Sequence, residues 1–226
     1  MQSGVRLAAA MLVSAGSALI SVPATAATIW TDWQTVQLGN PGSAVGTLNG
    51  VQVSYSGQVI ASGTAINGTS AIWGPNSSFI GGTSTVSPSS VGDSIGLNGG
   101  FTGLATLTFA SPIEDPLIAI WSLGQPGFAA SFTFGQTPTF QAGGPNASFG
   151  GSPISVAGNV VSGNEGNGVV QFTGTFSSIS WTNTPENFYA FTVGTAAPTA
   201  NVPEPATLAL LGLGLAGLAA SRRRRK

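Results

Sequence analysis

Leu104-Ala-Thr-Leu-Thr-Phe109 and Ser177-Ser-Ile-Ser-Trp-Thr182 are the two stretches that decide the fold class. In both, apolar side chains alternate with hydroxyl side chains, so that Leu107 and Phe109 share one face of a strand while the threonines point away. A period of two residues predicts strands with one buried and one exposed face. The surrounding sequence repeats short β-branched or aromatic runs between Gly, Ser and Asn residues. We therefore expect an all-β fold, an antiparallel jelly-roll-like β-sandwich.

Several such runs lie in the body of the chain, which we define as residues 28–194. A body of this length can bury a sizeable core and suits one domain, followed by a linker at 195–201. Asn49-Gly50 is a strong signal for a tight turn just before the strand that begins at Val51. The predicted strands are Thr28–Gln37, Val51–Tyr55, Ala71–Trp73, Leu104–Phe109, Leu117–Trp121, Ala130–Phe134, Gly168–Phe172, Ser177–Thr182 and Phe188–Val193.

The charges of the chain are unevenly distributed. Every Lys and Arg lies at position 6 or at 222–226, and the chain has no His and no Cys. Binding of nucleic acid through phosphate neutralisation needs cations, so we expect no nucleic-acid partner. Zinc, haem and iron–sulfur sites lose their usual ligands, and catalytic triads with a His base are impossible. The carboxylates of the body are Asp32, Asp93, Glu114, Asp115, Glu165 and Glu186.

The N-terminal residues have the pattern of a secretory signal peptide. Arg6 supplies a positive charge, residues 7–20 are a short apolar stretch, and Ala24-Thr25-Ala26 matches a small-residue cleavage site. We expect signal peptidase to remove residues 1–27, with Ala24 and Ala26 at the cleavage site, and the body to be exported. An uncleaved N-terminal anchor is the alternative.

The C-terminal residues combine the tetrapeptide Val202-Pro-Glu-Pro205, an apolar run at 206–220 and a basic end. At about 1.5 Å per residue the apolar run makes a helix of roughly 22 Å, shorter than the ~30 Å hydrocarbon core, and snorkelling Arg side chains can absorb the deficit. Because it has no polar face and cations follow it, we expect a single membrane helix with its basic end in the cytoplasm and the body outside. The basic end consists of Arg222, Arg223, Arg224, Arg225 and Lys226.

This order of tetrapeptide, apolar run and basic end resembles the PEP-CTERM sorting signal, by which some Gram-negative bacteria deliver proteins to the envelope through the membrane protease exosortase. The resemblance implies transient insertion into the inner membrane, exosortase as a partner, and a final location at the outer surface or in the extracellular matrix. Because such tails usually accompany exopolysaccharide production, it also implies a structural or adhesive role in a biofilm matrix. The implied processing motif consists of Val202, Pro203, Glu204 and Pro205.

Part of the body also looks like the bodies of PEP-CTERM surface proteins. The similar stretches are Trp121-Ser-Leu-Gly124, Ser178-Ile-Ser-Trp-Thr182 and Phe191-Thr-Val-Gly194. Such bodies are commonly predicted as jelly-roll or lectin-like sandwiches. This resemblance carries no active site to transfer.

The acidic side chains are the candidates for chemistry. Glu114-Asp115 is the only carboxylate pair close in sequence, and its flanking prolines place it in a turn. A glycosidase would need two carboxyl groups at a set separation, whereas calcium would need carboxylate, amide and backbone oxygens from loops. Solvated turn acids are the simpler interpretation. The candidate calcium ligands are loop oxygens in three pairs: Asp93 with Asn98, Glu114 with Asp115, and Glu165 with Asn164.

The tryptophans could include a platform that stacks on a sugar ring. Trp30 and Trp33 are three residues apart, so in one strand they would face opposite sides, which leaves one of them available at the surface. Trp121 and Trp181 lie in predicted strands, and we expect both in the core. Trp73 is the remaining candidate.

Together these features predict an exported, exosortase-processed surface or matrix protein without catalytic activity, whose β-sandwich is structural or binds carbohydrate. No cofactor is expected beyond a calcium ion. The alternative is a secreted polysaccharide-active hydrolase that uses Glu114 or Glu165. Ice binding is a third hypothesis, because this kind of tail occurs on some ice-binding proteins and Thr-x-Thr triplets such as Thr106-Leu-Thr108 are present. The triplets are spaced irregularly along the chain, whereas an ice-matching face needs a repeated array.

Overall fold

The structure, a computed structural model, describes residues 28–68, 92–146 and 148–196, together with the helical pairs 214–215 and 222–223. Every structural statement below concerns these residues. The first three of these ranges form an all-β domain whose strands pair antiparallel, apart from one short parallel pair. The predicted all-β, antiparallel class is confirmed.

The strands follow one another in chain order with short connections. Their bounds are β1 Thr28–Trp30, β2 Asp32–Gln37, β3 Gly39–Leu48, β4 Val51–Ala65, β5 Ser94–Leu97, β6 Ala105–Glu114, β7 Leu117–Leu123, β8 Ala130–Phe134, β9 Thr139–Gly143, β10 Ser152–Pro153, β11 Ser155–Ala157, β12 Val160–Gly163, β13 Gly166–Gln171, β14 Thr175–Asn183 and β15 Tyr189–Ala196.

The strands form one continuous sheet that folds back on itself and is nearly closed. Its order is β10-β13-β7-β15-β5-β4-β6-β14-β8-β12-β11, with β1 beside β15, β9 beside β13, β3 beside β4 and β2 beside β3. The fold line lies in β4, because its residues 53–56 pair with β6 whereas Ile60 and Ala65 pair with β5. We call β1, β5, β7, β9, β10, β13 and β15 the first layer, and β2, β3, the first half of β4, β6, β8, β11, β12 and β14 the second layer. The finer jelly-roll assignment stays a prediction.

One hydrophobic core lies between the two layers, and the alternation seen in the sequence builds it. Leu107 and Ile179 face each other across β6 and β14 and are fully buried. Trp181 stacks on Tyr55 with 5.7 Å between ring centroids and meets Phe191 edge-on at 5.2 Å. Since Tyr55 and Phe191 come from opposite layers, this aromatic cluster joins the two halves of the sheet.

A second apolar cluster covers the outer face of the first layer. Ile120 of β7 belongs to the main core, whereas its neighbours Ala119 and Trp121 belong to the outer cluster and are equally buried. Phe149 and Phe188 pack against this cluster. β7 is therefore buried at every position, which explains why its sequence is a continuous apolar run instead of an alternating one.

The predicted strand Thr28–Gln37 is two strands, because the chain changes layers at Thr31. The Thr31 N–H and the Thr31 hydroxyl both donate to the Val193 carbonyl oxygen at 2.9 Å. Before this residue β1 pairs with β15 in the first layer, and after it β2 pairs with β3 in the second. A buried residue thus marks a crossover that the sequence pattern did not reveal.

The predicted tight turn at Asn49-Gly50 is confirmed. Asn49 and Gly50 have φ angles of 50° and 79°, and Leu48 pairs directly with Val51. Strands β3, β5 and β9 to β12 were missed, because Gly, Pro and Ser weaken the alternation on which the prediction relied. The predicted strand Ala71–Trp73 lies outside the described residues.

The predicted signal peptide at 1–27 and most of the predicted tail at 202–226 also lie outside the described residues. In the part of the chain that the structure describes, no helix is both long and apolar enough to cross a membrane. The membrane helix at 206–220 therefore stays a prediction. At the edge of the domain, Thr28 of β1 pairs with Ala196 of β15.

Candidate functional site

Four residues meet at one end of the strands of the first layer, and we call them the acidic rim: Ser122, Gly124, Glu165 and Glu186. Ser122 and Gly124 lie at the end of β7, Glu165 lies in the turn between β12 and β13, and Glu186 precedes β15. Contacts join Ser122 to Glu165 and Gly124 to Glu186, and the two carboxyl groups are close enough to interact electrostatically. The rim therefore combines groups from the end of β7, from the turn between β12 and β13, and from the loop before β15.

A hydrogen bond from the Ser122 hydroxyl to Glu165 Oε1 forms one half of the rim. Both residues have left-handed backbone, with φ angles of 55° and 57°, which non-glycine residues seldom adopt. Buried Asn167 holds them in place: its Oδ1 accepts the Ser122 N–H at 3.0 Å, and its Nδ2 donates to the Glu165 carbonyl oxygen at 3.2 Å. The strained pair is thus kept in position by a buried polar network.

Glu186 forms the other half. Its Oε2 accepts a hydrogen bond of 2.8 Å from the Gly124 N–H, and its own N–H donates to the Asn98 carbonyl oxygen at 2.7 Å. Burial raises the pKa of the Glu186 carboxyl to about 7; the Gly124 N–H opposes the rise, and the charge of Glu165 adds to it. Glu186 can therefore gain or lose a proton near neutral pH.

A tight turn beside the rim carries an exposed aromatic ring. Gln125 and Phe128 exchange backbone hydrogen bonds of 2.9 and 2.8 Å. The Gln125 side-chain oxygen also accepts a hydrogen bond from Asn187 Nδ2 at 2.9 Å. The Phe128 ring at the tip is 57% exposed. Two carboxyl groups, two amides and an aromatic face are groups that can orient a polar ligand at a protein surface.

The four predicted calcium ligands do not converge. Among the described residues, no three His, Cys, Asp or Glu side chains gather in a group that could hold a metal ion. Of the four, Glu165 is the one that lies in the rim, and the carboxyl group near it belongs to Glu186. Backbone oxygens could complete a calcium shell there, so calcium remains a hypothesis for the rim alone.

Asp93 lies elsewhere and is tied to the backbone. Its two carboxylate oxygens accept the N–H groups of Trp33 and Gly68, and the side chain is buried. Asn98, its predicted partner, is exposed, and its N–H donates to Gln58 Oε1 at 2.9 Å. Asp93 and Asn98 therefore each take part in a different structural contact.

Glu114 ends β6 and Asp115 begins the turn that the flanking prolines predicted. The Asp115 N–H donates to the Gly174 carbonyl oxygen at 2.7 Å, and Asp115 Oδ1 accepts the Gly174 N–H at 2.7 Å. Asp115 has a φ of 47° and stabilises the turn, whereas Glu114 is exposed. These contacts support the interpretation of the pair as turn residues.

The expectation that Trp30 or Trp33 would be exposed was wrong. Trp30 is 4% and Trp33 0% exposed. Because the layers change at Thr31, Trp30 packs on the outer face of the first layer while Trp33 enters the main core, where its Nε1 donates to Thr192 Oγ1 at 3.0 Å. Trp121 and Trp181 are buried as predicted. Trp73 lies outside the described residues.

Of the two acidic rim residues, Glu186 is the one that the sequence analysis did not single out as a candidate for chemistry. It stands alone between Pro185 and Asn187, without a neighbouring acid or a recognisable motif. Its proximity to Glu165 depends on the loop before β15 meeting the turn between β12 and β13. Its position just after a proline in a polar loop was the available signal, and that signal is shared by many solvated acids.

Comparison with known proteins identifies a sorting motif at the C-terminus. The profile of the PEP-CTERM protein-sorting motif matches residues 201–225. The resemblance inferred from the tetrapeptide, apolar run and basic end is therefore confirmed. No curated protein and no solved structure matches the chain. The motif indicates an exported bacterial protein that exosortase sorts to the cell surface.

Proposed function

We propose that this chain, which carries an exosortase sorting motif, is an envelope or extracellular-matrix protein of a Gram-negative bacterium, and that its jelly-roll-like domain is non-catalytic and either structural or carbohydrate-binding. The sorting motif at 201–225 carries the proposal. The side chains of the domain support it. Asp93 and Asp115 accept hydrogen bonds from backbone N–H groups, and the chain has no His or Cys to act as base or nucleophile.

Maturation is proposed to proceed in two cuts. Signal peptidase acts after Ala24-Thr25-Ala26, and the run at 206–220 then enters the inner membrane with its basic end in the cytoplasm. Pro203 and Pro205 prevent a helix from extending upstream, which leaves an extended peptide outside the bilayer where a protease can reach it. Exosortase is proposed to cleave near this peptide, after which the domain is released or reattached outside.

A processing assay tests this proposal. The double variant Pro203→Ala, Glu204→Ala should accumulate in the inner membrane as a form that retains residues 206–226, as measured by intact mass and membrane fractionation. Pro198→Ala, two residues after the end of β15 and outside the sorting motif, is the matched control and should mature normally. Normal maturation of the double variant would overturn the sorting mechanism.

A hydrolase acting on polysaccharide is the second candidate, and the acidic rim is the observation that favours it. Burial raises the pKa of Glu186 to about 7, and its carboxyl interacts with that of Glu165, as the two carboxyl groups of a glycosidase do. Reducing-end release from the matrix polysaccharide of the host, lost in Glu186→Gln and kept in Glu114→Gln, would replace the non-catalytic proposal. No release by the wild-type protein would leave the non-catalytic role standing.

A further inference from the structure

The outward side of the second layer is a surface of hydroxyl groups. Strands of this layer send apolar residues such as Leu107 and Ile179 into the core, and their alternate positions point outward. At those positions β6 and β14 carry Thr and Ser side chains, for example Thr108 and Ser178. We call this outward side the hydroxyl face.

Cross-strand register arranges these hydroxyl residues in rows. Ser43 of β3 lies opposite Ser56 of β4, Ser56 lies opposite Thr106 of β6, and Thr106 lies opposite Ser180 of β14. One row of hydroxyl residues therefore crosses four neighbouring strands. Their regular spacing arises between strands, where a search along the chain does not detect it.

A second row lies beside the first. Ser54 of β4 is opposite Thr108 of β6, and Thr108 is opposite Ser178 of β14. Neighbouring residues of one row are about 4.8 Å apart, the distance between strands, and the rows are separated by about 6.7 Å, two residues along a strand. The same arrangement continues on β8, β12 and β11, where Ser162 lies opposite both Ser131 and Ser155.

The hydroxyl face is uncharged over its whole centre. Of its strands, β2 contributes Asp32 at one margin and β6 contributes Glu114 at another, while β3, β4, β8, β11, β12 and β14 contain no charged residue. A charged polymer therefore finds no complementary group there. An uncharged, hydroxyl-rich ligand can bind without removing water from an ion.

The hydroxyls of the second row are available to a ligand. Within the described residues, Ser54, Thr108 and Ser178 make no side-chain hydrogen bond to protein, and Thr108 and Ser178 are exposed. In the first row, the Thr106 hydroxyl has one long contact of 3.4 Å with the Leu104 carbonyl oxygen. Each free hydroxyl can both donate and accept, as a sugar hydroxyl can.

We propose that the hydroxyl face binds an uncharged polysaccharide laid across the strands, so that successive sugar units hydrogen-bond to successive hydroxyls of a row. This inference rests on the proposed carbohydrate-binding role and names the surface and the ligand class. The right-handed twist of a sheet turns each strand by about 20–25° relative to the next, so a rigid crystal face would lose register within a few strands. A flexible polymer can follow the twist, which favours polysaccharide over ice.

Chain-length dependence is the expected signature of such binding. A neutral hydrogen bond contributes little on its own because it replaces bonds to water. Affinity must then come from many weak contacts made at once, and it should rise steeply with the number of sugar units. Since no ion pairs are involved, binding should be nearly insensitive to salt.

The test uses the full-length chain in mild detergent and two neutral polymers, dextran and a soluble β-1,4-glucan, each in graded lengths. The variant Ser54→Ala, Thr108→Val, Ser178→Ala removes the second row while keeping its shape. The control Thr102→Ala, Thr137→Ala, Thr173→Ala removes three exposed hydroxyls outside the strands. We expect the row variant to bind the long polymers about tenfold or more weakly than wild type, and the control to bind normally.

Three outcomes would overturn the inference: no binding of either polymer by wild type, equal binding by the row variant, or ice-crystal shaping by wild type without polysaccharide binding. Equal unfolding midpoints of wild type and row variant would show that a loss of binding is not a loss of folding. Tail processing is measured on the same preparations. Normal processing without polysaccharide binding would refute this inference and leave the sorting proposal intact.

Discussion

The carboxylate of Asp93 accepts a hydrogen bond of 2.7 Å from the backbone N–H of Trp33, across 60 positions of the chain. Its other oxygen accepts the Gly68 N–H, also at 2.7 Å. Asp93 is 1% exposed, and burial raises the pKa of its carboxyl while the two backbone donors oppose that rise. This side chain therefore joins the start of β2, the residues after β4 and the start of β5.

Replacing Asp93 should destabilise the domain. In Asp93→Asn the amide group can accept only one of the two hydrogen bonds and turns an N–H towards the other donor. We expect the free energy of unfolding to fall by about 1.5–3 kcal/mol, as for a lost hydrogen bond to a buried charge. Urea unfolding measures this, with Asp32→Asn as the control that should change it little. Equal stability of the two variants would show that the Asp93 contacts contribute nothing.

The stability of the domain should depend on pH through Glu186. Its folded-state pKa of about 7 lies above the usual 4.5, so the folded state binds more protons than the unfolded state between these values. The stabilising contribution is complete below about pH 4.5 and is lost as the pH rises through about 7. Thermal unfolding from pH 4.5 to 8 should show a falling Tm. Glu186→Gln should flatten the slope, and Glu114→Gln should leave it unchanged.

Calcium is expected to act on stability through the same rim. A cation between Glu165 and Glu186 would favour the charged form of the Glu186 carboxyl and so lower its raised pKa. Added calcium should then raise the Tm at pH 8 and weaken its fall with pH. In Glu165→Gln both effects should disappear, while Asp115→Asn should keep them. A calcium effect that survives Glu165→Gln would place the ion elsewhere.

Trp181 should contribute more to stability through its ring than through its N–H. The ring contacts Tyr55 and Phe191 in the core, whereas Nε1 is buried without a hydrogen-bond partner in the part of the chain described. Trp181→Ala should cost about 3–5 kcal/mol. Trp181→Phe should cost far less, because it also removes an unpaired polar group. Urea unfolding of both variants, with exposed Phe128→Ala as control, separates the two contributions.

Two glycines, one in the rim and one in the neighbouring turn, allow the cost of a steric clash to be measured apart from the cost of left-handed backbone. Gly124 and Gly127 have similar φ angles of 76° and 84°. A Cβ at Gly124 would collide with the Gly163 carbonyl oxygen, whereas one at Gly127 would meet open space. Gly127→Ala should cost about 1–2 kcal/mol from its left-handed backbone alone, and Gly124→Ala clearly more. Equal unfolding free energies of the two variants would show that the backbone near Gly124 moves aside without cost.

Part of this molecule was predictable because its signals are local. The turn at Asn49-Gly50 and the burial of Leu107 and Ile179 follow from nearest neighbours in the chain. The burial of both Trp30 and Trp33 was not predicted. It follows from the change of layer between them, where Thr31 donates a hydrogen bond to Val193 in the last strand. A sequence period of two residues shows which side chains share one face of a strand. It does not show which other strand that strand pairs with.

By itself the sequence determined the all-β class and the sorting motif at 201–225. Both depend only on residues close together in the chain: the alternation of apolar and polar side chains, and the composition of the tail. Only the tertiary structure decided that Glu165 meets Glu186 and that Ser56, Thr106 and Ser180 form one row. Those relationships depend on strand order and register. Strand order and register are set by the burial of one shared core, because its free energy depends on contacts between residues that are far apart in the chain.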